Sequence, residues 1–374
     1  MTLEIEEVRS LRGFTVEWAA PDGFYLSRRN VVFHSRDLEV PFTPVAAIEA
    51  PVWRRAASAS RLAQRLLRFM VTNVLPLANG DLFVTFDKTI GLIRDGRWLP
   101  LRGLSRPCRV LRGGCAVDPR GDVYFGEYLL NARRHDIGLC RYSPGSDSIE
   151  RVHTFAAGEI AHVHGVYCDP HDGAMYCLTG DDAHECRILR SRDRWSSFEA
   201  VGQGDETWRA VSLQFSATHL LYGSDASFRA NHLYRVDRAT MRREAIAEVD
   251  SPVLYSVRLG DDYLFTTSAE KAPSQAADVA SLWCLTPDGR CEKVVSLRKD
   301  PWHRSLFKLG ALHLPGRSTL AHEGYFHAIG VVGDNRTFRL RRSSSGGMHR
   351  YGHDPDPRRQ RHARAQAVPA ASRP

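Results

Sequence analysis

The chain has 374 residues, 51 Lys plus Arg against 43 Asp plus Glu, a formal charge of +8 and 43% hydrophobic residues. This is the composition of a globular protein and excludes a disordered or fibrous one. No run approaches the roughly 18 apolar residues of a transmembrane helix, and the acidic start Met1-Thr-Leu-Glu-Ile-Glu-Glu-Val lacks the basic and apolar segments of a secretory signal, so a cytoplasmic location is expected.

The charge is uneven. From position 341 to 374 there are eight Arg and two Asp, which is +6, so residues 1–340 carry only +2. Nucleic-acid binding by the folded part is therefore not expected. The chain holds eight Cys without a C-x-x-C pair. Several lie in apolar runs, where a thiol acts as a small buried hydrophobe, and neither disulfides nor a zinc site is expected from them.

In chain order, Thr2–Val8 alternates as a strand. Phe14–Ala50 is a weakly marked four-strand unit. About residues 54–69, Leu62, Leu66, Leu67 and Phe69 recur at helical spacing and predict one short basic amphipathic helix. A second unit spans Val71–Leu104. Clearer copies then begin at Gly113, His162, Arg209 and Val253: an apolar strand, a turn rich in Asp, Gly or Pro, a second strand ending in a small or acidic residue, then two more strands. Second strands end at Gly126, Gly180 and Gly223, spacings of 54 and 43 residues. Four short strands in each period of roughly 40–50 residues predict propeller blades. A last unit from near Ser305 is one strand short, and the N-terminal strand would complete it. The expected fold is an all-β, seven-bladed propeller over residues 1–342, with six blades as the alternative. Residues 343–374, rich in Ser, Gly, Pro, Arg and His, are expected to form a disordered basic tail.

Phe125-Gly-Glu-Tyr, His162-Val-His-Gly with Asp169-Pro, Thr179-Gly-Asp-Asp and Ser191-Arg-Asp193-Arg-Trp195-Ser-Ser-Phe198 resemble a sialidase-like group of propellers with BNR or Asp-box repeats, often described as glycosyl hydrolases. The last segment keeps the Ser, Asp and aromatic of an Asp box but has Trp195 in place of its Gly. The resemblance implies a carbohydrate ligand at the channel mouth. The sialidase Phe-Arg-Ile-Pro motif and a three-Arg clamp are absent.

In a propeller, first strands begin and second strands end on one face. Asp87, Glu127, Asp181, Asp182, Asp225 and His327 would meet His162, His164, Arg209, Tyr255 and His303 there. Glu127, Asp181, His164 and Tyr255 are the candidate catalytic groups, with Glu127 or Asp181 as acid and a His as base. Arg209, Asp225 and Trp208 are the candidate substrate-binding residues. Alternate strand positions share a face, so His162 and His164 could hold a divalent metal ion. Three functions stay open: a carbohydrate-processing or carbohydrate-binding protein, possibly glycoside hydrolase-like; a metal-dependent lactonase-like or uronate-lyase-like enzyme; and a non-catalytic scaffold for protein partners. The first two imply a small-molecule or glycan ligand. No membrane partner is expected.

Overall fold

The computed structural model describes residues 3–342. Seven four-stranded antiparallel blades surround a channel: residues 15–47, 71–100, 115–155, 163–203, 210–249, 253–298, and 310–342 together with Leu3–Glu7. The sixth and seventh share two backbone pairings, Ser268 with Ala311 and Ala269 with Gly310. The N-terminal strand Leu3–Glu7 runs antiparallel to Arg336–Arg342, Leu3 opposite Arg342 and Glu7 opposite Phe338. First and last parts of the chain thus share one blade, and no edge is left between them. The tail of residues 343–374 lies outside the described residues.

Burial explains the strand patterns. A second strand lies between two neighbours within its blade and between two adjacent blades. Leu82–Phe86 is accordingly buried at every position, and reads as a continuous apolar run apart from Thr85. A fourth strand faces solvent, and Glu199–Gln203 is largely exposed, with polar residues at both ends. Hydrophobic clusters fill the seams between blades; one joins Phe83 to Phe125 and Tyr142. The Asp-Pro turns of blades three and four work alike. Asp118 accepts from the amides of Arg120 and Asp122 at 2.9 Å, and Asp169 accepts from His171 at 2.9 Å. The eight Cys are free thiols, six of them buried.

Two features differ from expectation. The single helix is two, Val52–Ala57 and Arg61–Leu66, with Ser60 capping the second through the amide of Ala63. Its core-facing side is not purely apolar: Leu66 is exposed, whereas Arg65 is buried on Asp300 at 2.5 Å. The second feature is a plug. Between Gly310–His313 and Glu323–Ile329 the chain enters the channel, where Arg317 and Ser318 pair in parallel with Trp18 and Ala19 of blade one.

Candidate functional site

The upper face, where first strands begin and second strands end, carries the channel mouth. His162 and His164 flank Val163, the first residue of blade four. Their Nε2 atoms face each other at 3.2 Å. The Nδ1 of His164 meets the carbonyl of Ala210 at 2.9 Å, and that of His162 meets the carbonyl of Leu129 at 3.3 Å. A carbonyl only accepts, so both Nδ1 atoms carry the protons and both Nε2 atoms present lone pairs. Asp181, just beyond the second strand of blade four, places Oδ2 at 3.5 Å from His162 Nε2 and Oδ1 at 3.7 Å from His164 Nε2. Both imidazoles are buried, while the carboxylate is open to the mouth.

Arg209 opens blade five. It stands 3.3 Å from Asp181 and 3.0 Å from Asp225, which ends that blade's second strand. Burial pushes the Asp225 carboxyl up to about 8, against the opposing pull of Arg209. Burial also raises Asp181, a shift that His162 and His164 overturn only when their rings carry a second proton and turn from acceptors into donors. Burial lowers His164 and keeps it neutral. Tyr128 covers His162 with ring centroids 4.2 Å apart; burial, aided by Asp181 and Asp225, moves its hydroxyl up to about 12.

The other candidates lie apart. Glu127 is completely buried and accepts from Arg151 at 2.9 Å, Arg106 at 3.0 Å and the Gly138 amide at 2.9 Å. All its lone pairs are engaged, which corrects its assignment as an acid open to the mouth. Trp208 is not at the mouth. It packs on Tyr222 at 5.9 Å and under Arg243, whose guanidinium lies 4.0 Å from the ring centroid. Tyr255 lies deeper, lining a cavity of about 220 Å³ with Tyr167, Ser256 and Arg317, its ring edge-on to His313 at 5.1 Å. Asp87 is held by Arg54 and Arg109, and Asp182 by Arg134. His303 is exposed and bonds Ser305. His327 is buried on Thr337, away from the mouth. Tyr128 and Glu270 were missed; each follows the end of a second strand, the position that marked the others. Glu270 accepts from Ser268 at 2.5 Å and adds negative charge beside Asp225 and Arg209.

The geometry defines a seven-bladed β-propeller with a polar mouth. No protein-family model matches the chain, and no curated protein matches it. Among solved structures, a chain of a mitotic checkpoint complex aligns over 91% of this chain and 94% of its own length, with a TM-score of 0.52 and 10% identity. A prolyl endopeptidase aligns over 84% of this chain but only 46% of its own, with a TM-score of 0.50 and 12% identity. A putative TolB from Agrobacterium tumefaciens aligns over 72% of this chain and 89% of its own, with a TM-score of 0.47 and 10% identity. None is a sialidase, so the expected membership of the BNR or Asp-box group is corrected. The segment that suggested the box is a turn in which the Ser191 hydroxyl accepts from the Trp195 amide at 2.8 Å and Asp193 accepts from the Ser197 amide at 2.8 Å.

Proposed function

We propose that this propeller is a non-catalytic docking platform whose upper face receives a protein partner. The observation that carries this reading is the distribution of exposed large hydrophobics. Among the described residues there are eleven, and eight of them, including Trp53, Leu130, Phe228, Trp302, Leu306 and Val332, stand on connections of the upper face. Leu130 is 98% exposed and Phe228 75%. Scattered apolar groups need no explanation, but their gathering on one face does.

Charge states the partner's chemistry. The upper connections at 8–14, 29–30, 48–70, 87–88, 101–114 and 127–136 carry fifteen Arg and Lys against four Asp and Glu. Those at 156–162, 180–186, 204–209, 225–230, 250–252 and 270–278 carry three against ten. The face is dipolar. A complementary partner brings apolar side chains flanked by acidic ones to blades one to three, which steers its approach. Carbohydrate processing has weaker support, because Glu127 is sealed and Asp225 is tied to Arg209.

The test is capture by the full chain, compared with a Leu130→Ser/Phe228→Ser variant and with Arg133→Glu, which reverses the charge of an exposed Arg on the basic 127–136 connection. The expected outcome is a partner lost on the double variant and weakened by Arg133→Glu and by salt. A variant that captures the same proteins with unchanged affinity would overturn the reading.

A further inference from the structure

The converging side chains at the mouth point to chemistry independent of docking. Three acceptor groups meet there: two imidazole lone pairs and a carboxylate, with all three ligand atoms within 4.8 Å of one another. Ala210 and Leu129 take the Nδ1 N–H groups, so the two Nε2 atoms are the ring positions left to face each other and Asp181. Buried acceptors in contact without a proton or cation between them repel, and a lone pair left unsatisfied in a buried site is destabilising.

We infer that His162, His164 and Asp181 form a binding site for a divalent transition-metal ion. The separations fit. An ion about 2.1 Å from each of its nitrogen and oxygen ligands needs those ligands roughly 3.4 Å apart in tetrahedral geometry. The two Nε2 atoms are 3.2 Å apart, His162 lies 3.5 Å from Oδ2 of Asp181 and His164 3.7 Å from Oδ1, and one ligand atom from each of the three residues lies within 4.8 Å of the other two, close enough for a small rotation of the carboxylate to complete the set. The outer contacts fit too. Metal-bound imidazoles donate their second N–H to a carbonyl or carboxylate, which fixes the tautomer, and both rings do so here. The local charge fits as well: Asp181 and Glu270 stand beside a single Arg209. Two imidazoles favour zinc over calcium or magnesium, which prefer all-oxygen sites, and manganese, a harder ion, is the weaker transition-metal candidate. Among the described residues three protein ligands converge, and Asp181 is open to the channel mouth. The remaining coordination position is therefore left for water or an oxygen of a ligand in the mouth.

The test is calorimetric titration of the chelator-treated full chain with zinc alone and with manganese alone, followed by thermal melting. One ion is expected per chain, with a higher Tm. Affinity should weaken as pH falls, because protons compete for the imidazoles. Asp181→Asn should lower affinity at least tenfold and His164→Gln at least a hundredfold, while both keep the wild-type circular dichroism spectrum. The Leu130→Ser/Phe228→Ser variant should bind the metal unchanged, which separates this outcome from failure of the docking platform. If neither ion binds at one equivalent, or if both site variants bind as tightly as the wild type, the inference is overturned and a proton shared between the imidazoles takes its place. Should a variant not fold, histidine ring signals of the wild-type chain, recorded with and without zinc, decide instead: unshifted signals of His162 and His164 sink the proposal.

Discussion

Gly126 and Val163 meet across the seam between the third and fourth blades: a Cβ added to Gly126 would lie 2.2 Å from Cγ1 of Val163. Gly223 repeats the contact two seams on, between blades five and six, with an added Cβ 2.5 Å from Val253. At these two positions the second strand of one blade approaches the first residue of the next too closely for a side chain. Gly126→Ala and Gly223→Ala should each cost about 1–3 kcal/mol, the usual penalty for overpacking a core. Urea denaturation checks this; midpoints unchanged from wild type would show that the seams can yield.

A second expectation concerns Arg112 and Glu17. Arg112 precedes blade three, Glu17 lies on the first strand of blade one, and their ion pair is buried, with Nη2 also 3.1 Å from the carbonyl of Val71. The pair joins three blades at the channel. Removing one member leaves an uncompensated buried charge, so Glu17→Ala should cost about 3–5 kcal/mol. The double change Glu17→Gln/Arg112→Met should cost less than the single one. Equilibrium unfolding of both variants decides; equal losses would mean that the charge itself is not the cost.

The third expectation is a pH dependence. His327 is buried, and its Nδ1 lies 2.7 Å from the Thr337 hydroxyl. Burial, reinforced by Arg61 and Arg112 and opposed by Asp334, lowers its imidazole from 6.5 to about 3. The unfolded chain therefore binds a proton that the folded chain refuses. This contribution to stability is complete above pH 6.5 and is lost as pH falls toward 3, at about 1.4 kcal/mol per pH unit. His313, half-buried and lowered in the same direction, acts with the same sign. His327→Gln should flatten the acid limb of a stability profile by about one proton. A profile parallel to that of the wild type would contradict the assignment.

The ring was legible because its constraints are local. A strand held between two blades must be apolar throughout, and a turn must be built from Asp, Gly and Pro, so the repeat is written in consecutive residues. The closing strand was legible because Leu3 and Ile5 alternate with acids that meet Arg339 and Arg336. The convergence of His162 and His164 followed from their spacing on a strand. What stayed hidden depends on distant partners. Nothing near Glu127 announces that Arg106 and Arg151 will cover it, and nothing near Arg65 announces Asp300. Trp208 stands next to Arg209 in sequence, but a one-residue step turns its ring into the packing beside Tyr222. The plug at Arg317 and Ser318 pairs over only two residues, too few to leave a periodic pattern.

The shared last blade also imposes an order on biosynthesis. Leu3–Glu7 leave the ribosome before the other strands of the ring, yet their partner strand ends at Arg342. At roughly 5–20 residues per second, these five residues wait on the order of half a minute, exposed, while six blades are translated. Three of the five are glutamates, charges that keep an unpaired edge from annealing to another nascent chain.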